Sequence, residues 1–386
     1  MMDGADALRI EAIDSLAKID EAAWDACANP LGAPYDPFAS WAFLEALESS
    51  LCVSAEAGWR PLHLIAREHG AIVGAMPLYL KDHSYGEYVF DHAWADALMR
   101  AGGRYYPKLQ CAIPFTPVTG RRIMASTPTI RRALIAGALD VLRRTRASSL
   151  HVTFADGGQA DELAALGLLR RTGVQFHWFN DGYQTFEDFL AALSSQKRKG
   201  IRRERERARE GLTIRRLTAG EISEHDWDFF FACYVDTGSR KWGSPYLNRD
   251  FFRLLGERLA DRVLLIIAED CGKPIAAALN LIGSDALFGR YWGSVERRDF
   301  LHFELCYYQA IDFAIERGLA RVEAGAQGEH KLTRGYAPVA THSAHWIAHA
   351  GLRDAVSRYL DSETPAMAEE IEMLAAHTPF RRLEIT

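Results

Sequence analysis

Ala66-Arg-Glu-His-Gly70-Ala-Ile-Val-Gly-Ala75-Met-Pro-Leu78 lines up, 202 positions later, with Ala268-Glu-Asp-Cys-Gly272-Lys-Pro-Ile-Ala-Ala277-Ala-Leu-Asn280. Each stretch follows an apolar run, His63 to Ile65 and Leu264 to Ile267, and each turns at a glycine, so both predict a β-hairpin. A second correspondence, at a shift of 168, carries Gly157, Gln159, Gly167, His177 and Trp178 onto Gly325, Gln327, Gly335, His345 and Trp346. Apolar residues at three- and four-residue spacing precede each block, over 130–146 and 304–317, and a short strand follows, 150–154 and 321–323. One unit therefore occurs twice: hairpin, helix, strand, Gly-rich bend, short helix, strand. The two shifts, 202 minus 168, leave about 34 extra residues in the first copy, expected around Tyr105 to Thr127.

A chain of 386 residues has room for two cores. With 48% apolar and 25% charged residues it is neither disordered nor fibrous. The fold class expected is α/β (α+β), two tandem domains, each a mixed, mostly antiparallel sheet flanked by helices. The boundary is expected at Asn180-Asp181-Gly182, giving domains 1–180 and 181–386, the second with a basic helix at 194–210 and a helical tail from Leu352 that belongs to neither copy. The acidic start (Asp3, Asp6, Glu11, Asp14, Asp20, Glu21) lacks a signal-peptide pattern, and no uncharged stretch approaches the ~20 residues that cross a bilayer. A cytoplasmic protein without membrane insertion is expected. Cys27, Cys52, Cys111, Cys233, Cys271 and Cys306 stand singly, at neither zinc nor redox spacing, and read as reduced thiols.

The net charge of -6 argues against a general nucleic-acid binder, but Lys197 to Arg209 holds eight basic residues against Glu204 and Glu206. Two readings stand for this stretch: a solvated helix with pairs such as Arg202 to Glu206, or a phosphate-binding surface using Lys197, Arg198 and Arg202.

The order of elements resembles the GNAT acyltransferase core. Two such units, joined by an amphipathic helix from Phe186, a basic helix and a strand at Gly211-Leu-Thr-Ile, resemble the Fem family. The run Ala324-Gly-Ala-Gln-Gly-Glu-His-Lys-Leu-Thr-Arg-Gly-Tyr336 resembles its bacterial FemAB-like N-acyltransferases. The resemblance implies tandem GNAT-like domains and transfer of an acyl or aminoacyl group to an amine, in the Fem case from aminoacyl-tRNA onto cell-wall (peptidoglycan) precursors. It implies no resident cofactor. On this resemblance the donor is aminoacyl-tRNA or acyl-CoA and the acceptor a small-molecule or peptide amine, with tRNA a partner in the first case. One departure concerns the donor: where GNAT enzymes meet pyrophosphate with bare glycine amides, this chain has Arg298-Asp-Phe-Leu-His-Phe303, so Leu301 and Phe303 are expected to obstruct acetyl-CoA in its usual pose.

Amide formation needs a deprotonated amine, oxyanion donors and alignment of the two substrates. Gly325, Gln327 and Gly328 form a bend whose amides suit an oxyanion, and His330 or Glu329 suits the base. The first copy has Asp161 and Glu162 in their place, which marks the second copy as the better equipped. Lys331, Arg334 and Tyr336 follow as substrate contacts, with Arg290, Tyr291, Trp292, Lys241, Trp242 and Tyr246 as aromatic and basic lining from a strand end and a loop. The triplet His342, His345 and His349 does not suit a metal, because residues 342 and 345 of a strand face opposite sides and no carboxylate adjoins them. Two other functions remain open on sequence alone: a silent binding protein for aminoacylated RNA or a cell-wall fragment, and an acetyl-CoA-dependent N-acetyltransferase with an altered loop.

Overall fold

The computed structural model describes residues 7–241, 245–325 and 328–381. Two compact units emerge, residues 1–173 with 340–368 and residues 174–339 with 369–386. A single cut at 180/181 does not reproduce them, because each copy's last strand is divided between the units and the C-terminal helix contributes to both.

The first unit contains strands β1 (Arg9–Ile13), β2 (Trp59–Pro61), β3 (His63–Glu68), β4 (Ala71–Met76), β5 (Leu78–Lys81), β6 (Lys108–Cys111), β7 (Met124–Ala125) and β8 (Ser149–Ala155). Its helices are α1 (Glu21–Ala28), α2 (Trp41–Ser49), α3 (His92–Arg100), α4 (Pro128–Thr145) and α5 (Gly157–Ala165). One sheet runs β1-β3-β4-β7; residues 342–347 pair antiparallel with β8, which continues through β6 and β5 to β2. Pro77, which lacks an N–H, separates β4 from β5 and lets consecutive strands serve different sheets. Helix α4 starts on a Thr127 side chain accepting from the Ile130 amide, with Pro128 in its first turn. Its Leu134, Ile135, Ala138 and Leu142 pack on Leu64, Met76, Leu109 and Leu150. The additional residues of this copy begin earlier than expected, before Tyr105, because α3 is among them.

The second unit contains residues 174–179 of β9 (Leu169–Phe179), then β10 (Leu212–Thr218), β11 (Val263–Asp270), β12 (Lys273–Ile282), β13 (Ala286–Ser294), β14 (Arg321–Glu323) and the first residues of β15 (Ala337–Ile347). Its sheet runs β10-β11-β12-β13-β14-β9. Helices α6 (Phe186–Ala192), α7 (Ser195–Arg209), α8 (Glu224–Lys241) and α9 (Arg249–Arg258) come before a continuous helical run: α10 (Leu301–Phe303), a π-turn at Glu304–Tyr308, and α11 (Gln309–Glu316). Leu305, Tyr308, Ile311 and Ile315 of that run bury against Leu264, Ile266, Leu287 and Val322 of the sheet. The tail forms α12 (Ala350–Ala376), whose Leu352, Val356 and Leu360 pack on Trp94 and Tyr105 in the first unit.

The duplication extends to backbone detail. The β3–β4 hairpin slips register between Ala66 and Arg67, and the β11–β12 hairpin between Ala268 and Glu269, again 202 residues apart. Both turns place two residues in the left-handed region, His69 (φ 49°) with Gly70 (φ 83°) and Cys271 (φ 49°) with Gly272 (φ 79°). Two left-handed residues make a type I′ turn, whose twist matches the flanking strands.

Candidate active site

Strands β13 and β14 run parallel and stay paired over only three positions, Ala286↔Arg321 to Phe288↔Glu323. Beyond them β13 slips register against β12 between Leu279 and Asn280, and the other edge leaves the sheet through Gly325 (φ 76°) and Gly328 (φ 113°). Both glycines sit where L side chains are strained. The 3-10 turn Glu329–Arg334 follows.

His330 is exposed, with its Nε2 2.9 Å from the Tyr307 hydroxyl on the π-turn. Partial burial, then the charges of Arg334 and Lys331, lower its pKa, which keeps the ring neutral at physiological pH. Phe303 (5.6 Å), Tyr307 (5.8 Å) and His302 (6.3 Å) surround the ring, and Trp292 reaches His302 at 5.3 Å. Lys331 is 1% exposed and donates to the Gly325 carbonyl at 2.7 Å, which ties the bend to the turn after it; burial pulls its pKa down to about 8. Tyr336 is 1% exposed, with its ring 5.5 Å from that of Tyr307.

The structure brings together His330, Lys331, Arg334, Tyr336, Gly325, Gly328 and Trp292. Arg334 is buried and committed to Glu204, so it does not present a free cation to a ligand. Tyr291 falls elsewhere: alternation along β13 turns it toward Tyr234 of α8 (5.0 Å) and Phe252 of α9 (6.3 Å), with Arg290 5.3 Å from its ring. Lys241 ends helix α8 instead of lying in a loop, and Tyr246 is half-buried. Gln327, Trp242 and the side chains of Glu329 and Lys241 lie outside the described residues. Leu301 is buried in the core and Phe303 stacks on Arg334, whose guanidinium lies 3.5 Å from the ring centre, so hydrophobic side chains occupy the start of the helical run as expected.

Helix α7 also departs from expectation. Arg202 pairs with Glu187 at 2.5 Å instead of Glu206, Arg205 with Glu304 (3.2 Å) and Asp312 (2.5 Å), Arg207 with Asp299 (2.6 Å), and Arg209 with Glu304 (2.7 Å). Lys197, Arg198, Lys199 and Arg203 carry no ion pair among the described residues. Sequence reasoning did not find Tyr307, His302 or Glu204 as site residues. Only the density of rings in His302-Phe-Glu-Leu-Cys-Tyr-Tyr308 hinted at the first two.

The first copy builds the same strand geometry and fills it. Strands β6 and β8 pair in parallel over Leu109↔Leu150 to Cys111↔Val152. Past that point the Gly120 amide donates to the Phe154 carbonyl (3.0 Å) and the Asp156 amide donates to the Gly120 carbonyl (3.2 Å). Arg122, 1% exposed, donates to the carbonyls of Thr153 (3.0 Å) and Val118. Gln159 Oε1 accepts from the Arg122 (2.9 Å) and Ile123 (3.1 Å) amides. The gap therefore holds the chain's own residues 118–123.

His342, His345 and His349 have separate partners, Arg170 (3.3 Å), His151 (2.7 Å) and the Leu352 amide (3.1 Å). No group of three or more His, Cys, Asp or Glu among the described residues is arranged to hold a metal. No helix among them is long and apolar enough to cross a membrane.

Two parallel strands that part after a short pairing, a helical run against their sheet, and a duplicate of the whole define a tandem GNAT-type protein. The family model FemAB-like, described as peptidoglycan biosynthesis/recognition, matches residues 15–382, and the chain belongs to that family. Among solved structures it is similar to FemX (12% identity, 88% of this chain and 98% of that one, TM-score 0.56). It is also similar to a conserved protein of unknown function from Bacteroides thetaiotaomicron VPI-5482 (13%, 87% and 99%, 0.51) and to L-PGS from Bacillus licheniformis (11%, 92% and 100%, 0.50). No curated protein matches the chain.

Proposed function

We propose that the protein is an N-acyltransferase working in the second unit. An acceptor amine, on a small molecule or peptide, attacks the carbonyl carbon of an activated acyl or aminoacyl ester or thioester. The C–N bond forms, the C–O or C–S bond breaks, and the amine's proton passes to His330, or to Glu329, on its way to the leaving group. Amides at Gly325 and Gly328 steady the oxyanion, and the Lys331 bond to the Gly325 carbonyl ties that glycine to the turn that follows. The carrying observation is the contrast between the copies: one strand gap is filled around Arg122, while the other is bordered by Gly325, Gly328 and His330, whose Nε2 lies 2.9 Å from the Tyr307 hydroxyl.

Aminoacyl-tRNA is the donor this reading favours over acyl-CoA. Phe303 and Leu301 stand where a pyrophosphate would need bare backbone, and the unpaired cations of α7 suit a polyanion. His330→Ala and Glu329→Gln are each expected to slow amide formation at least tenfold with melting temperature unchanged. Wild-type rates in both variants would remove this site.

A further inference from the structure

We propose that Glu204, on α7, is a positioning residue for His330 that acts through Arg334; the inference rests on the proposed acyl transfer only for its kinetic arm. Both Glu204 oxygens accept from Arg334 Nη2 at 2.9 Å, and Oε2 also accepts from the Tyr308 hydroxyl. Arg334 Nη1 donates to the His330 carbonyl at 2.8 Å and to Thr333 Oγ1 at 3.2 Å. Its guanidinium carbon lies 3.5 Å from the centre of the Phe303 ring, and Phe303 lies 5.6 Å from the His330 ring. One carboxylate thus fixes the arginine that grips the His330 backbone and supports the ring beside it. Both oxygens close on one nitrogen, Nη2, in a charge-assisted contact, which leaves Nη1 to hold the His330 carbonyl.

The arrangement also reaches the Tyr307 hydroxyl. Tyr308 bonds to Glu204 and the adjacent Tyr307 lies 2.9 Å from His330 Nε2, so the π-turn is tied to the acid and to the imidazole through successive residues. A π-turn spreads adjacent side chains differently from a regular helix, and such turns are frequent at functional sites. By base rate a Glu inside a basic helix is a solvated charge. Here its side chain is 22% exposed and serves two side chains of the site.

Among the described residues, the titratable groups facing His330 are Tyr307, His302, Arg334 and Lys331. Replacing Glu204 by glutamine keeps a similar shape and removes its charge, so Arg334 loses its counter-ion and bears more strongly on the imidazole.

The test has two independent readouts on full-length protein. In the first, the His330 ring is titrated by NMR in wild type, Glu204→Gln and the Glu204→Gln/Arg334→Met double variant, with His330→Ala to assign the signal. The titration midpoint is expected to move to lower pH in Glu204→Gln and to return toward or above the wild-type value in the double variant. An unmoved midpoint overturns the proposal whether or not acyl transfer occurs. In the second, Glu204→Gln is expected to lower kcat about tenfold with KM within twofold, and Glu204→Asp to recover part of the loss. A loss confined to KM, or one that tracks melting temperature, overturns the positioning role. Absence of turnover in wild type counts against the proposed function alone, and the titration then decides the fate of Glu204.

Discussion

Lys108→Met is expected to destabilise the first unit by about 3–5 kcal/mol, the usual cost of deleting one partner from a buried ionic cluster. Lys108 is 0% exposed and donates to Glu87 (2.7 Å), Asp91 (2.5 Å) and Ser84 (2.8 Å). Glu87 and Asp91 are 4% and 3% exposed. Burial works to raise the Asp91 carboxyl, and the Lys108 and His151 neighbours with the hydrogen bonds outweigh it, holding it well below the usual carboxylate range. Tyr105 donates to Asp91 at 2.7 Å, and Lys81, 3.6 Å from Glu87, is pulled down to about 7 chiefly by burial, so neither replaces the lost ammonium. Urea unfolding of the variant measures the effect; a loss under about 1 kcal/mol contradicts the charged cluster.

Acid is expected to weaken the same unit through His151 and His345. These rings face each other across β8 and β15 with Nδ1 atoms 2.7 Å apart, so one proton serves the contact. Ser149 lies 2.7 Å from His151 Nε2, with Tyr105 at 3.2 Å, and Ser343 lies 2.8 Å from His345 Nε2. Burial first, and then Lys108, lowers His151 to about 3; burial, His151 and Arg171 hold His345 well below its ordinary value. Both are thus neutral when folded and take protons when unfolded. Their contribution is complete above the unfolded pKa of about 6.5 and is lost as pH falls, by about 2 kcal/mol per ring between pH 7 and 5. Asp25, raised by burial to about 6, gains in the same window and offsets part of this. The clean observable is a difference: His345→Gln should make stability less pH-dependent by roughly that one-ring amount. Parallel pH profiles for variant and wild type would show that the ring is not buried neutral.

The repeat was legible because hairpin turns leave local marks. Gly70 and Gly272 announced turns whose register slips and left-handed residues then recurred at the same spacing. The strand-by-unit assignment was not legible: residues 340–347 complete the sheet of the first unit, and the partner of a single strand is set by long-range packing that no local pattern encodes. His330 and the bend could be found from the contrast between copies, since the first copy lacks the histidine. Glu204 could not, because its meaning depends on Arg334, which lies 130 residues away. The Lys108 cluster likewise draws on positions 81, 87, 91, 105, 151 and 345, each unremarkable alone.

The most direct measurement is the fate of the acceptor amine. Purified protein is incubated with an amine-bearing peptide and, in parallel, with aminoacyl-tRNA or acetyl-CoA, and the peptide is then weighed by mass spectrometry. The account predicts one new amide, formed from the charged tRNA and reduced at least tenfold in His330→Ala. Donor binding with no amide from either source, or amide formed equally well without His330, would contradict it.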